Sequence, residues 1–219
     1  MHVLIPVKSF ADAKLRLRHV LSPGQRRKLS RLMLEDMLAC LIKSSTVSSI
    51  SIISCEEEVS TIAEQFGVNV IPTENDQGYS EDAMLGIARL SNDQDAPVAI
   101  LPADLPQISV DDVEQLCSIH KQGITLCPAA LDGGTNALII DAGLKLELVF
   151  GDNSLQRYQE LARRLNIPQQ TVSIPGMERD LDRPEDLNWL KNQAASGKTW
   201  AYLRAIEFSH ETEDVCKEL

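Results

Sequence analysis

The stretch ISIISCEEEVSTIAEQFGVNVI at residues 50–71 decides the fold class of this chain. Residues 50–54 form a short run rich in isoleucine, which predicts a buried strand. Residues 56–66 have the character of a helix, and Gly67 stands where a helix commonly ends in a left-handed residue. Residues 68–71 predict the next strand. A strand, a helix and another strand in direct succession are typical of a parallel sheet.

The same alternation continues on both sides of that unit. Short apolar runs predict strands, and capped or amphipathic segments predict helices. The predicted strands are 3–7, 98–101, 124–127, 137–140 and 171–174, and the predicted helices are 23–40, 81–90, 109–121, 153–164 and 184–191. We therefore expect an α/β fold with a mostly parallel sheet and helices on both faces. Residues 1–191 are expected to form one domain, and residues 192–219 a peripheral helix with an acidic tail.

Composition excludes several classes of protein. The chain has 219 residues, of which 43% are hydrophobic and 24% charged, as in an ordinary globular domain. No apolar run approaches the roughly 20 residues of a membrane-spanning helix, so no membrane partner is expected. The N-terminus lacks the pattern of a signal peptide. Five widely spaced cysteines without a C-x-x-C pair argue against a disulfide framework or a zinc site, and favour a reducing cytoplasm.

The charge is unevenly distributed along the chain. The formal net charge of −11 argues against a nucleic-acid partner. Residues 1–34 nevertheless carry +7, and the remainder carries −18. A basic region on an acidic protein can attract and hold a small polyanion. Lys8, Lys14 and Arg16, which follow the first strand, are the candidates for that anion site, whereas residues 26–31 are interpreted as a solvated helix face.

Three segments follow predicted strands or precede a helix at the edge where ligands are expected. In an open parallel sheet, ligands bind outside the carboxyl ends of the strands. The segments are the loop at residues 8–16, the turn LPADLP at 101–106 and DLDRPE at 180–185. The loop offers cations to phosphates, while Asp104 and Asp182 offer the carboxylates that Mg²⁺ accepts together with substrate phosphates. Alternatively, Asp104 is an ordinary turn residue, and Asp182 caps a helix in a capping box with Glu185.

Two glycine-bearing turns stand in the second half of the chain. They are DGGTN at residues 132–136 and FGDNS at residues 150–154. The second precedes a helix, whose first N–H groups offer donors to an anion. As a bare motif, the first is more simply explained as a hairpin turn. Together they indicate a second anionic ligand, separate from the one at Lys8 and Lys14.

Several common functional motifs are missing from the sequence. No G-x-G-x-x-G follows the first strand, so a dinucleotide site has no support. Residues 196–199, SGKT, look like the end of a P-loop, but Asn192 stands where the first glycine is required. The four histidines have neither metal-ligand nor catalytic-triad spacing.

Five motifs occur in a specific order along residues 1–190. They are IPVK-x4-AK-x-RL at 5–17, LPADLP at 101–106, DGGTNAL at 132–138, FG-x2-S at 150–154 and D-x-D-x-PEDL at 180–187. This set resembles the CofC/FbiD family, the 2-phospho-L-lactate guanylyltransferases of deazaflavin coenzyme F-420 biosynthesis. The resemblance implies a GT-A-like nucleotidyltransferase fold, also called the nucleotide-diphospho-sugar transferase fold. It also implies a GTP-dependent enzyme.

The resemblance further implies a reaction and a set of site residues. Enzymes of the family transfer GMP from GTP to a small phosphorylated carboxylic acid and release pyrophosphate. The acceptors 2-phospho-L-lactate, phosphoenolpyruvate and 3-phospho-D-glycerate share size and charge, so all three stay open. By analogy, Asp104 and Asp182 would be the ligands of Mg²⁺. The acceptor would be bound by Thr135, Gly151 and Ser154. The phosphates of GTP would be bound by Lys8, Lys14 and Arg16. Lys14, Asp104 and Asp182 are the expected catalytic residues.

Two segments depart from the family pattern. The phosphate turn usually has proline after Phe-Gly, where this chain has Asp152 and Asn153. Asp152 offers an acceptor to a substrate hydroxyl, which would favour 3-phospho-D-glycerate. Residues 78–83, GYSEDA, replace a Gly-Leu-Asn-x-Ala pattern on the nucleotide side. Two alternatives stay open: a GT-A-like transferase of the molybdenum-cofactor or sugar-phosphate type, and a catalytically silent nucleotide-binding module. A monomer and a homodimer are both compatible with the sequence.

Overall fold

The computed structural model describes residues 1–90 and 96–206. Strands and helices alternate along most of this part of the chain. The strands are β1 (His2–Pro6), β2 (Ser49–Ser54), β3 (Asn69–Pro72), β4 (Val98–Ile100), β5 (Ile124–Pro128), β6 (Thr135–Ile140) and β7 (Gln169–Thr171). The helices are α1 (Pro23–Leu41), α2 (Glu57–Phe66), α3 (Tyr79–Leu90), α4 (Val110–Ile119), α5 (Ser154–Leu165), α6 (Pro184–Lys191) and α7 (Lys198–Ala205).

The strands form one mixed sheet in the order β3-β2-β1-β4-β6-β5-β7. Strand β6 is antiparallel to both β4 and β5, while every other pairing is parallel. The reversal follows from the connection between β5 and β6, because a short hairpin turn joins only antiparallel strands. The predicted α/β fold with a mostly parallel sheet is confirmed.

Helices cover both faces of the sheet, as predicted. Side chains of a strand alternate between its two faces, and each face here has its own apolar layer. In β4, Ala99 joins the layer beneath α1, α2 and α4, whereas Val98 and Ile100 join the layer beneath α3 and α5. The two layers make the sheet the buried centre of the molecule.

The capping residues predict several of the observed helix boundaries. Helix α1 begins after Ser22, which exchanges backbone-to-side-chain hydrogen bonds with Gln25 in a capping box. Helix α2 ends at Gly67, whose φ of 66° is left-handed. Helix α4 begins after Ser109, with Asp112 as its capping-box partner. These starts and stops need only local contacts, which is why the sequence predicts them.

The strand predicted at residues 171–174 is wrong in position. Strand β7 lies two residues earlier, where Gln169 and Thr171 pair with β5. The apolar Ile174 is fully buried, but it precedes a short 3-10 turn that begins at Pro175. An apolar residue can therefore be buried just beyond the last paired residue of a strand. For this reason the apolar pattern of the sequence did not give the correct bounds of β7.

Helices α6 and α7 pack against the first half of α1 at one end of the molecule. They share an apolar cluster that contains Leu29, Met33, Leu190 and Leu203, all of them buried. A peripheral helix with an acidic tail was predicted over residues 192–219, of which residues 207–219 lie outside the described residues. The division at residue 191 stays a prediction. Among the described residues, no helix is both long and apolar enough to cross a bilayer.

Candidate active site

A cavity of about 760 Å³ opens at the edge of the sheet where β1 and β4 end and β6 begins. The predicted site residues in its wall are Lys8, Lys14, Arg16, Asp104, Thr135, Gly151 and Asp182. The structure thus brings together segments that are far apart in sequence. The predicted position of the site, outside the carboxyl ends of the strands, agrees with this cavity.

Lys14 lies between the two predicted metal-binding carboxylates. Its Nζ atom is 2.5 Å from Oδ2 of Asp104 and 3.6 Å from Oδ1 of Asp182. Burial alone lowers the pKa of Lys14, but the charges of Asp104 and Asp182 outweigh it and raise the pKa above its ordinary value. The side chain is only 9% exposed. The cavity therefore contains an ammonium group that is fixed between two carboxylates.

The backbone at Lys14 is left-handed, with φ of 56°. Residues other than glycine rarely adopt this conformation, which costs on the order of 1 kcal/mol or more. The chain then enters a short 3-10 turn, Leu15–Leu17, and Leu17 is fully buried. The turn and the buried leucine direct the Lys14 side chain inward, toward the acids.

Arg16 binds the other side of Asp182. Its Nη1 atom is 2.5 Å from Oδ2 of Asp182, and this charge is the main reason that the pKa of Arg16 is raised. The Arg16 side chain is 61% exposed, so the ion pair contributes little to stability. Both oxygens of Asp182 are thus engaged by cations, and Arg16 stands at the rim of the cavity.

The interpretation of Asp182 as a helix cap is wrong. Helix α6 has Arg183 as its N-cap residue, and the capping carboxylate belongs to Asp186. Asp186 accepts hydrogen bonds from the backbone N–H groups of Asp182 at 3.1 Å and Arg183 at 2.8 Å. A capping box one residue later than predicted leaves the Asp182 side chain free for the cavity.

Asp104 is more than an ordinary turn residue. The buried Leu101 and Leu105 fix the turn on either side, and the Asp104 carbonyl accepts a hydrogen bond from Leu181 N at 3.0 Å. Its Oδ2 atom binds Lys14, while Oδ1 is buried without a hydrogen-bond partner in the described structure. A buried carboxylate oxygen without a donor is a suitable ligand for a cation.

Asp180 is a site residue that the sequence analysis missed. It lines the cavity, and burial together with the charge of Asp104 raises its pKa to about 6. The signal was present in the motif D-x-D, because alternate residues of an extended segment face the same side. Leu181, between the two acids, is fully buried, so Asp180 and Asp182 both face the cavity.

The cavity wall carries more acids than cations. Its cations are Lys8, Lys14 and Arg16, and its acids are Asp12, Glu81, Asp104, Asp132, Asp180 and Asp182. Within residues 1–90 and 96–206, no group of three or more acid, histidine or cysteine side chains is placed to hold a metal ion unaided. Mg²⁺ commonly binds one or two carboxylates and completes its shell with water and substrate phosphates. The Oδ1 atom of Asp104, which has no donor, fits such an ion, whereas Asp182 would have to exchange its contact with Lys14 or Arg16 for the metal.

The two glycine-bearing turns are joined to each other. The first is the β5–β6 hairpin turn, as its simpler explanation predicted, and it also lines the cavity. Asn153 N donates to the Asp132 carbonyl at 3.1 Å, and Leu155 N donates to the Gly133 carbonyl at 3.1 Å. The hairpin turn and the start of α5 therefore form one hydrogen-bonded unit, and both turns contribute residues to the cavity wall.

Ser154 does not line the cavity, contrary to expectation. It is fully buried, and its Oγ donates to Oγ1 of Thr135 at 3.1 Å. Thr135 is itself nearly buried but lies in the cavity wall. The sequence could not distinguish these positions, because packing of α5 against the hairpin turn decides which hydroxyl faces the cavity.

The two segments that depart from the family pattern have different places in the structure. Asp152 is exposed and lies outside the cavity wall, so it gives no support to a hydroxyl-bearing acceptor. Tyr79, Ser80 and Glu81 do line the cavity, and the Tyr79 ring packs edge-on against Phe150 with a centroid distance of 4.8 Å. Of the two departures, only the one at residues 78–83 therefore contributes side chains to the cavity wall.

Other basic and P-loop-like residues are engaged elsewhere. Arg27 ion-pairs with Glu56 and Glu58, and Arg31 with Glu35 and Glu58, so the basic face of α1 is largely neutralised. The N–H groups of residues 198 and 199 donate to the carboxylate of Asp36. The SGKT segment therefore serves as the capped start of α7.

Solved structures share this fold. A nucleotide-diphospho-sugar transferase from Desulfovibrio desulfuricans superposes with a TM-score of 0.75 at 18% identity, covering 93% of this chain and 94% of that one. A nucleotidyl transferase from Methanothermobacter has a TM-score of 0.62 at 13% identity, covering 94% and 99%. At these identities the similarity establishes the fold alone, which is the predicted GT-A-like nucleotidyltransferase fold.

Sequence relatives identify the family. A phosphoenolpyruvate guanylyltransferase of Roseiflexus castenholzii is 36% identical over 208 residues, 95% of each chain. A 2-phospho-L-lactate guanylyltransferase of Methanobrevibacter smithii is 28% identical, over 95% of this chain and 92% of that one. A 3-phospho-D-glycerate guanylyltransferase of Phenylobacterium zucineum is 30% identical, over 84% and 86%. The family described as Guanylyl transferase CofC like matches residues 1–218, and the chain belongs to this family.

Proposed function

We propose that the chain transfers GMP from GTP to a small phosphorylated three-carbon acid, releasing pyrophosphate, as a step of coenzyme F-420 biosynthesis. Family membership supports the reaction class. The observation that carries the proposal is that one cavity wall combines two groups of residues. These are Lys14 between Asp104 and Asp182, and the joined glycine turns with Thr135. Two anionic substrates can meet in such a cavity.

The chemistry requires charge neutralisation more than proton transfer. An oxygen of the acceptor phosphate attacks the α-phosphorus of GTP, and the bond from that phosphorus to the bridging β-phosphate oxygen breaks. Pyrophosphate carries away the electron pair. A phosphate monoester has a second pKa near 6, so the nucleophile is already largely dianionic at neutral pH without a general base. The main obstacle is the repulsion between the acceptor and the triphosphate.

Cations in the cavity wall, and a metal ion held by its carboxylates, would counter that repulsion. Lys14 keeps its charge at the functional pH and would face the triphosphate, with Lys8 and Arg16 as further cations in the wall. Asp104 and Asp182 would hold Mg²⁺, which supplies Lewis-acid stabilisation of the phosphate charge when it is bound. Because acids outnumber cations in the wall, a divalent cation would reduce the repulsion that polyanionic substrates meet there.

The joined glycine turns would bind the acceptor. Thr135 offers a hydroxyl, and Gly151 offers a backbone that an anion can approach closely, with φ of 105°. Ser154 would act indirectly, because its hydroxyl orients Thr135 from behind. Among the three acids, phosphoenolpyruvate is our proposed acceptor, because relatives named for it reach 36% identity.

Pyrophosphate release from GTP with a panel of acceptors tests the function. The panel contains the three phosphorylated acids and, for the alternative class, sugar 1-phosphates, each with and without Mg²⁺. We expect Mg²⁺-dependent release with phosphoenolpyruvate and little with sugar phosphates. Release with sugar phosphates alone would favour the sugar-phosphate class, and no release with any acceptor would favour the silent module.

The proposal also includes the compartment, the partners and the oligomeric state of the enzyme. Within the described residues, Cys40, Cys55, Cys117 and Cys127 are all free thiols, which is consistent with a reducing cytoplasm. GTP and a phosphorylated acid are the proposed partners. A homodimer stays a prediction that size-exclusion chromatography with light scattering tests directly.

A further inference from the structure

The proposed cations of the site are carried on one loop, which is anchored in the core by two buried residues. We use the name cation loop for residues 8–16. Phe10, 2% exposed, packs in the core near its start, and the fully buried Leu17 follows its end. Between them the chain reaches the left-handed Lys14. A loop with this conformation needs contacts that keep it in place.

Glu56 supplies such contacts from outside the cavity. Its Oε2 atom accepts hydrogen bonds from Phe10 N at 2.9 Å and from Ser9 Oγ at 3.1 Å. Glu56 does not line the cavity, so it is not expected to touch a substrate. Its carboxylate thus binds the backbone of the cation loop two residues after Lys8.

Glu56 is held firmly at the end of β2. Its backbone N–H donates to Ser54 Oγ at 3.0 Å, and that hydroxyl donates to the Val7 carbonyl at 2.7 Å. Its other carboxylate oxygen accepts from Arg27 at 3.3 Å. Glu56 occupies the N-cap position of α2 but makes no side-chain cap hydrogen bond. The side chain therefore contacts the loop in place of its own helix.

Inside the cavity, the cation loop is held by ion pairs with residues of the proposed site. Lys14 and Arg16 hold the loop through Asp104 and Asp182, which are the proposed metal ligands. Substrate phosphates would compete with those carboxylates for the same cations. The hydrogen bonds to Glu56 involve no substrate-binding group, so they persist when the cavity is filled.

We propose that Glu56 is a positioning residue for the cation loop, which keeps Lys8, Lys14 and Arg16 in place to bind the triphosphate of GTP. The inference rests on the proposed function. Glu58 is a matched control, because it ion-pairs with Arg27 at 2.7 Å and Arg31 at 3.1 Å but has no described contact with the loop. Both acids belong to the same surface network, and only Glu56 contacts Ser9 and Phe10.

The test compares Glu56→Ala, Glu56→Gln and Glu58→Ala with the wild type. Glu56→Ala should raise KM for GTP about ten-fold, as expected for loss of hydrogen bonds to a charged group, with KM for the acceptor nearly unchanged. Glu56→Gln retains an acceptor oxygen and should recover most of the loss. Glu58→Ala should leave both constants at the wild-type value. An equal effect of Glu56→Ala and Glu58→Ala on KM for GTP would overturn the proposal.

Hydrogen exchange separates this inference from the proposed function. The amides of residues 9–16 should exchange faster in Glu56→Ala than in the wild type or in Glu58→Ala, without any substrate present. Wild-type exchange rates across those amides in Glu56→Ala would overturn the positioning role, whatever the activity. If the loop is loosened as expected but the wild type shows no guanylyl transfer, the proposed function fails and the structural role of Glu56 stands.

Discussion

Asp104 and Asp182 are the residues on which the proposed reaction depends most, because they frame Lys14 and are the only proposed metal ligands. We expect Asp104→Asn and Asp182→Asn each to lower the rate of pyrophosphate release about 1,000-fold, which corresponds to about 4 kcal/mol of transition-state stabilisation. The substitutions keep the side-chain shape, so far-ultraviolet circular dichroism should show the wild-type fold. The urea midpoint of Asp104→Asn should nevertheless fall, because the nearly buried Lys14 loses its close partner. Near-normal rates for both variants at saturating Mg²⁺ would contradict the metal assignment.

Ser154 tests whether a buried hydroxyl acts on the acceptor through its neighbour. Ser154→Ala removes the donor to Thr135 and leaves that hydroxyl free to rotate. We expect kcat/KM for the acceptor to fall about ten-fold, while binding of a non-hydrolysable GTP analogue stays at the wild-type value. Thr135→Ser keeps a hydroxyl at the cavity wall and serves as the control. A shift in GTP-analogue affinity in Ser154→Ala would place the residue on the nucleotide side.

Residue positions were predictable where strand order alone brings them together. Lys14, Asp104 and Asp182 follow strands or precede a helix at one edge of the sheet, so their proximity follows from the fold. The left-handed backbone of Lys14 was not predictable, because lysine has no preference for that conformation. The burial of Ser154 was missed for a related reason, since it depends on contacts between α5 and a distant turn.

At the scale of elements, the junction between β5 and the residues before β7 depends on a glycine. Gly123 has φ of 72°, and a Cβ atom there would lie 1.9 Å from the Pro168 carbonyl oxygen. Gly143 has φ of 75° but open space around it. We expect Gly123→Ala to lower the free energy of unfolding by about 3 kcal/mol or more, and Gly143→Ala by about 1 kcal/mol. Urea titrations of both variants measure the difference, and equal losses would show that the contact with Pro168 relaxes at no cost.

Elements with local signals were placed within a few residues of their observed bounds. Ser22, Gly67 and Ser109 mark ends of helices through contacts with near neighbours in sequence. The hairpin explanation of residues 132–136 already implied that β6 runs antiparallel to β5. The position of β7 depends instead on pairing with β5. Periodicity within a segment contains no information about its partner strand, so this feature required the structure.

At the scale of the whole molecule, Glu35 joins α7 to α1. Its carboxylate binds Arg31 at 2.8 Å and Lys198 at 2.5 Å. Burial alone raises the pKa of Glu35, but hydrogen bonds to Lys198 and Arg31 outweigh it, so its pKa lies below the ordinary value. The stabilisation is therefore complete above the unfolded-state pKa of about 4.3 and is lost as pH falls through the folded-state pKa.

Glu35→Gln should consequently destabilise the protein in a pH-dependent way. We expect the variant to lose about 1–2 kcal/mol of unfolding free energy at pH 7, and the difference from wild type to vanish in strongly acidic solution. Urea unfolding at several pH values provides the measurement. Glu58→Gln, on the same surface network but more exposed, is the control and should show a smaller loss at every pH. A difference independent of pH would mean that packing, and not charge, explains the role of Glu35.

Lys14 and Arg16 are already paired with carboxylates, so a phosphate that enters competes with those carboxylates for both cations. Its affinity therefore reflects the difference between two sets of ion pairs. A carboxylate that loses its cation then needs a counterion, and nucleotide-associated Mg²⁺ is the available one. Nucleotide and metal are therefore expected to strengthen each other's binding, with the same coupling free energy in both directions. Titration of either one alone should give weak affinity, and saturation with its companion should tighten it.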